Sequence, residues 1–92
     1  MPYINSDLRV IYDGIINEFE DLVEHEDISV GELNFLITSF MQIYVQTRGT
    51  SYQKINDIMG VLECVKQEFY RRLVVPYEEL KRESNGEVFN LT

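Results

Sequence analysis

The side chains in this 92-residue sequence whose type and spacing could best support chemistry are carboxylates. Six of them fall between residues 18 and 27: Glu18, Glu20, Asp21, Glu24, Glu26 and Asp27. Hard divalent cations such as Mg²⁺ take several carboxylate oxygens as ligands, so this run is a candidate metal site. A solvated acidic helix face explains the same run without a metal, and we prefer that interpretation.

Three other glutamates define an enzyme hypothesis: Glu32, Glu63 and Glu68. All-helical nucleoside triphosphate pyrophosphohydrolases hold Mg²⁺ with carboxylates from facing helices, and the metal activates water for attack on the phosphate chain. The sequence lacks that family's paired-glutamate motif and its Glu-x-x-Asp element. We therefore keep this Mg²⁺-dependent enzyme as the alternative, and outside it we assign no catalytic residue, cofactor or metal.

The other reactive side chains favour structural roles. His25 has no serine or cysteine nucleophile at a recognisable spacing, and Cys64 is the single thiol, which excludes a disulfide within one chain. Arg71 and Arg72 could hold a phosphate or a partner's carboxylate. Pairing within the helix is the preferred interpretation, since Glu68 lies four residues before Arg72.

The charge distribution narrows the classes of partner. Residues 7–32 hold nine acidic residues and one basic residue, whereas residues 33–92 hold seven of each sign. Nucleic acid and anionic lipid are disfavoured, because phosphate contacts require Lys or Arg. A basic protein surface suits the acidic third better, so a decoy for a host DNA-binding protein is a second alternative. No apolar run approaches the ~20 residues of a membrane span.

Helices must position these groups. Apolar residues recur at helical spacing from Ser6 to Glu24, and Asn5 or Ser6 can cap this first helix. Ser29 and Glu32 fit a capping box, which predicts a second helix beginning near Val30.

The third helix is the longest pattern in the chain. Thr50 and Gln53 offer another capping-box match, and an apolar stripe follows from Tyr52 to Leu73. Pro76 predicts that this helix ends or kinks and that a short fourth helix follows. Residues 87–91 alternate as a short strand would, and residues 2–4 are the candidate β partner.

The second helix is apolar over most of its circumference. Its polar positions form a narrow strip, so neighbouring helices of a small chain can cover only part of the remainder. We therefore predict that a second copy covers the rest. The predicted interface residues are Phe35, Ile37, Met41, Ile43 and Val45.

Several short motifs carry a resemblance. Gly31-Glu32-Leu33-Asn34, residues 68–72 (EFYRR), Pro76-Tyr77-Glu78 and residues 85–89 (NGEVF) occur in this order. The succession resembles a group of short proteins of unknown function encoded by tailed bacteriophages and their prophages. That group typically has Asp and Tyr where this chain has Glu87 and Phe89. The resemblance implies a phage or prophage origin and assigns no activity.

Together these patterns predict one all-α domain over residues 1–92, with an antiparallel three-helix core, a short fourth helix and an optional terminal β pairing. We expect a soluble protein of the host cytoplasm without a membrane or nucleic acid partner. The expected function is that of a non-enzymatic accessory protein, a homo-oligomer that contacts host or phage proteins.

Overall fold

The computed structural model describes residues 1–90, which form helices joined by short non-helical segments and contain no strand. The all-α prediction is therefore confirmed. No helix in the described part of the chain is long and apolar enough to cross a membrane. The elements are α1 (Ser6–Arg9), a 3₁₀ turn (Val10–Tyr12), α2 (Asp13–His25), α3 (Val30–Arg48), α4 (Tyr52–Phe69), a π-helical turn (Tyr70–Val74) and α5 (Val75–Asn85).

The first helical run begins where the capping pattern places it. The backbone N–H of Asp7 donates to Asn5 Oδ1 at 2.8 Å, so Asn5 is the N-cap. The run reaches His25, one residue past the predicted end, and the 3₁₀ turn interrupts it at Val10–Tyr12. β-Branched and aromatic residues fill this turn and Gly14 follows it closely, so helix propensity is low there.

Ser29 caps α3 as predicted. Its Oγ accepts the backbone N–H of Glu32 at 3.1 Å and donates to Glu32 Oε1 at 3.3 Å. The helix ends at Arg48 and is capped by Gly49, whose φ of 87° lies in the left-handed region that glycine adopts freely. The Nζ of Lys54 donates to the carbonyl of Arg48, which satisfies one of the last carbonyls of α3.

The third run begins one residue later than the predicted capping box. Ser51, rather than Thr50, accepts the first-turn hydrogen bond, from the backbone N–H of Lys54 at 3.2 Å. The side chain of Gln53 is turned along the helix and donates to Asp57 Oδ1 at 2.8 Å. The Thr50–Gln53 assignment was therefore wrong by one position.

Pro76 does not separate a fourth helix from the third. Helical backbone continues from Tyr52 to Asn85, and the π-helical turn at Tyr70–Val74 lies before the proline. Within it the backbone N–H of Val75 donates to the carbonyl of Tyr70, five residues back. This wider turn gives the proline ring room against the preceding carbonyls, so the chain absorbs Pro76 without ending the helix.

The terminal β pairing is not seen in the described residues. Residues 86–90 and 2–4 contain no strand, and Leu91 lies outside the described part. The carboxylate of Glu87 accepts the backbone N–H groups of Val88 and Phe89 at 3.1 and 2.9 Å. Because these donors bond to a side chain, they are not available for a ladder with the N-terminus.

The described chain divides into two units, residues 1–58 and residues 59–92 of the sequence, with the last two residues undescribed. The prediction of one domain over residues 1–92 stays a prediction, as does the antiparallel packing of the three runs. No side chain among residues 1–90 is buried, and every one is exposed or half-buried. The apolar stripes therefore remain accessible. Since α3 is apolar over most of its circumference, it is the first candidate for a functional surface.

Candidate functional site

The middle of α3 has no charged residue. Between Glu32 and Arg48 lie fifteen residues without an Asp, Glu, Lys or Arg, the longest such interval in the sequence. At 1.5 Å per residue, this interval is about 22 Å long. Fifteen uncharged residues in a chain of net charge −8 form a surface unlike the rest of the protein.

All five predicted interface residues lie on this helix, and none is buried. Phe35 is 70% exposed, Ile43 58% and Ile37 44%. Met41 and Val45 are half-buried. Side chains of this size are usually covered in folded proteins, so the accessible set is a candidate contact surface.

Three more residues belong to this surface and were left out of the predicted interface. Leu33, Phe40 and Tyr44 are exposed, and together with Ile37 they follow spacings of four, three and four. That spacing places all four side chains on one face of α3. We call these four residues the α3 stripe. The signal was present in the sequence, but the all-round apolar character of the helix obscured it.

Charge of opposite sign flanks the uncharged interval. Glu26 and Asp27 precede α3 and Glu32 lies in its first turn, whereas Arg48 ends the helix and Lys54 bonds to the carbonyl of Arg48. Acidic groups suit the positive end of the helix dipole and basic groups suit the negative end. The α3 surface is thus apolar along its length, acidic at one end and basic at the other.

The acidic run contains one geometrically convergent group. One ligand atom each from Asp21, Glu24 and His25 lies within 4.8 Å of the other two. All three side chains are exposed, and His25 Nδ1 already lies 2.8 Å from the carbonyl oxygen and 3.2 Å from Oδ1 of Asp21. The spacing is that of neighbouring positions on any helix, so a solvated acidic face accounts for it.

Each glutamate of the enzyme alternative has a local partner. Glu32 contacts its cap Ser29, as described above. The Nε2 of Gln67 donates to Glu63 Oε1 at 2.9 Å, and Arg71 Nη2 lies 3.0 Å from each carboxylate oxygen of Glu68. In the described part of the chain, no candidate group of metal ligands includes any of the three.

The ion pairs on the last run differ from the predicted spacing. Glu68 pairs with Arg71, three residues on, at 3.0 Å, whereas Arg72 was the predicted partner. Arg82 pairs with Glu79 at 2.5 Å and with Glu87 at 3.4 Å. Cys64 is exposed as a free thiol, so its expected structural role has no support from burial.

The C-terminal segment holds a carboxyl group, that of Glu87, whose pKa is lowered. The hydrogen bond from the backbone N–H of Phe89 is the largest cause, and it holds the pKa of Glu87 below the ordinary value. Partial desolvation opposes this shift, while the N–H of Val88 and the guanidinium of Arg82 add to it. Glu87 therefore acts as a local anchor for residues 86–89.

Comparison with known protein families gives a match that spans most of the chain. The sequence of residues 1–88 matches a family described as a domain of unknown function, DUF6899. The chain belongs to this family. No curated protein and no solved structure matches the DUF6899 chain. Family membership covers nearly the whole sequence and assigns no activity.

Proposed function

We propose that this DUF6899 protein is a small non-enzymatic protein that self-associates through α3 and acts through protein–protein contacts. The observation that carries the proposal is the accessibility of every apolar side chain in residues 1–90, α3 above all. A further part of the proposal is that the three helical runs pack in antiparallel fashion within the assembly, with residues 77–83 as the last segment of the third run.

The energy balance of folding supports association. Ordering one residue costs about 1–2 kcal/mol of backbone entropy, and burial of apolar side chains is the main term that offsets it. A large side chain such as Phe or Leu contributes roughly 1.5–3 kcal/mol only when it is removed from water. Since no described side chain of the isolated chain is buried, contacts with another chain supply the missing term.

A second copy suits this surface better than a charged partner does. The chain carries a net charge of −8, and residues 7–32 hold the whole of that excess. Contact through the acidic α2 would bring like charges together, which is unfavourable. Contact through the uncharged interval of α3 desolvates no charged side chain and keeps the acidic helix in water.

The proposal includes a biological setting, that of a phage or prophage protein in its host. The motifs at residues 31–34, 68–72 and 85–89 support a phage or prophage accessory protein acting in the host cytoplasm. The acidic α2 would then be the surface that faces a host or phage protein, or that keeps the assembly soluble. No cofactor forms part of this function.

Light scattering after size exclusion tests the self-association. At micromolar concentration we expect a molar mass at least twice the 10.9 kDa of the chain, together with a cooperative thermal transition. A well-folded species of 10.9 kDa would overturn the proposal.

The acidic decoy is the second candidate, and the exposed acidic side chains of α2 favour it. Under this function the carboxylates of α2 occupy the positions of phosphates on a host DNA-binding protein. A pull-down with a purified basic DNA-binding protein should then succeed at low salt and fail at high salt. A variant with Glu20→Gln and Glu24→Gln should bind more weakly, and equal binding by this variant would remove the candidate.

A further inference from the structure

We infer that two copies of the chain pair through α3 in antiparallel orientation, with a two-fold axis passing between Ile37 and Phe40. This inference rests on the self-association proposed above and adds its geometry. A two-fold axis makes the interface isologous, so each residue meets a fixed counterpart on the partner.

The α3 stripe is compatible with such an axis. Its four residues are placed symmetrically about the midpoint between Ile37 and Phe40. In an antiparallel pair centred at this midpoint, Ile37 lies at the same height along the helix axis as Phe40 of the second copy. Leu33 likewise meets the level of the second copy's tyrosine 44. Each large side chain thus faces another apolar side chain, as interface packing requires.

The charges at the ends of α3 decide the orientation. Glu26, Asp27 and Glu32 lie at the N-terminal end, and Arg48 and Lys54 lie at the C-terminal end. An antiparallel pair brings the acidic end of each copy to the level of the basic end of the other. A parallel pair would bring both acidic ends together, along with the two helices α2 that precede them. Opposed helix dipoles favour the antiparallel pair as well.

Other surfaces of the chain are less suited to contact between copies. On α2, Glu20, Asp21 and Glu24 would face their own counterparts across a two-fold axis. On α5 the main basic group is engaged locally, since Arg82 bonds to both Glu79 and Glu87. The uncharged interval of α3 carries neither obstacle.

Distance measurement between spin labels tests the orientation. On a Cys64→Ser background, one label is placed at Val30→Cys and, in a second sample, one at Thr38→Cys. An antiparallel pair separates the two backbones by roughly 25–30 Å at position 30 and by less than about 20 Å at position 38. A parallel pair gives short distances, about 10 Å between backbones, at both positions.

The outcomes separate the orientation from self-association itself. Short distances at both positions overturn the inference and leave the self-association standing. Long distances at position 38 also overturn it, because the copies then meet through another surface. A molar mass of 10.9 kDa with no dipolar interaction in either sample overturns the proposed function.

A charge variant gives an independent readout. At low salt, Arg48→Gln should raise the dissociation constant about 2- to 5-fold, as loss of an exposed attraction does, and the effect should vanish at high salt. Lys66→Gln removes the same charge from α4 and should leave the dissociation constant unchanged. Tighter association of Arg48→Gln would instead indicate that basic ends adjoin one another, and would overturn the inference.

Discussion

Two regions of the molecule differ in whether their side chains have partners within the chain. In residues 75–89 the charges find partners nearby: Arg82 bonds to two glutamates, Lys81 lies 5.6 Å from the centre of the Tyr77 ring, and Glu87 accepts two backbone N–H groups. In α3 the apolar residues between Glu32 and Arg48 stay accessible. Polar groups can be satisfied over three to five residues, whereas apolar groups need a second surface.

A charge placed in the α3 stripe should have the largest effect. We expect Ile37→Glu to abolish association and to lower the free energy of unfolding by about 3–5 kcal/mol, because it leaves an unpaired charge in the contact. Thr38→Glu places the same charge on the polar strip of α3, which consists of Asn34, Thr38, Gln42 and Gln46, and should change stability by less than about 0.5 kcal/mol. Light scattering measures association and thermal denaturation measures stability for both variants. Equal losses of association and stability in the two variants would show that the α3 stripe is not the contact surface.

Stability should also depend on protein concentration. For a dimer that unfolds to separate chains, a tenfold rise in concentration adds about 1.4 kcal/mol per dimer, which raises Tm by on the order of 3 °C. Calorimetry over a hundredfold concentration range measures this shift. A constant Tm would show that the chain covers its own apolar surface.

The acidic face of α2 should show only a weak, nonspecific response. Neutralising it by Glu20→Gln and Glu24→Gln should raise the free energy of unfolding by a few tenths of a kcal/mol, since like-charge repulsion at the surface is small. MgCl₂ should shift Tm no more than NaCl of equal ionic strength. A larger Mg²⁺ shift that is lost in Asp21→Asn would mean that the convergent group binds the metal.

The smallest expected effect is at Glu87. Its folded-state pKa is lowered, so the ionised carboxylate contributes stability above the unfolded glutamate value, roughly 4.3, and this contribution disappears as pH falls through the folded pKa. NMR titration should give a Glu87 midpoint below the ordinary value. Arg82→Gln should raise that midpoint only in part, because the N–H bond from Phe89 is the larger cause. A complete return to the ordinary value would contradict this order of causes.

Local patterns in the sequence predicted much of the fold. Ser29 before Glu32 marked the start of α3 correctly, and Asn5 marked the start of α1, because a cap depends on a few adjacent residues. The pairing of Glu68 with Arg71 was missed because a helix surface allows pairs at three and at four residues, and the sequence alone does not choose between them. The bond between Arg82 and Glu87 was missed because it depends on how residues 86–89 fold back, and this has no periodic signal in the sequence.

The sequence predicted that α3 carries a contact surface, but it did not predict all the residues of that surface. Because α3 is almost entirely apolar, the sequence predicted that a partner covers it, and the predicted interface included Ile37. Leu33, Phe40 and Tyr44 were not, because periodicity cannot rank the faces of a helix that is apolar nearly all round. In the structure all three side chains are exposed.

The π-helical turn before Pro76 sets the phase of the last helix. A turn closed by a bond to the fifth preceding residue holds one residue more than an α-turn, so everything after it is rotated by about 100° relative to an uninterrupted α-helix. Leu80 is therefore turned away from the line that Leu62 and Phe69 follow, whereas an uninterrupted α-helix would place it on that line. Deleting a single residue between 70 and 74 would close the turn to ordinary α-helical spacing and leave the residues after it facing as before. The spacing of five residues thus offsets the last helix by one residue position from the pattern that an unbroken helix would follow.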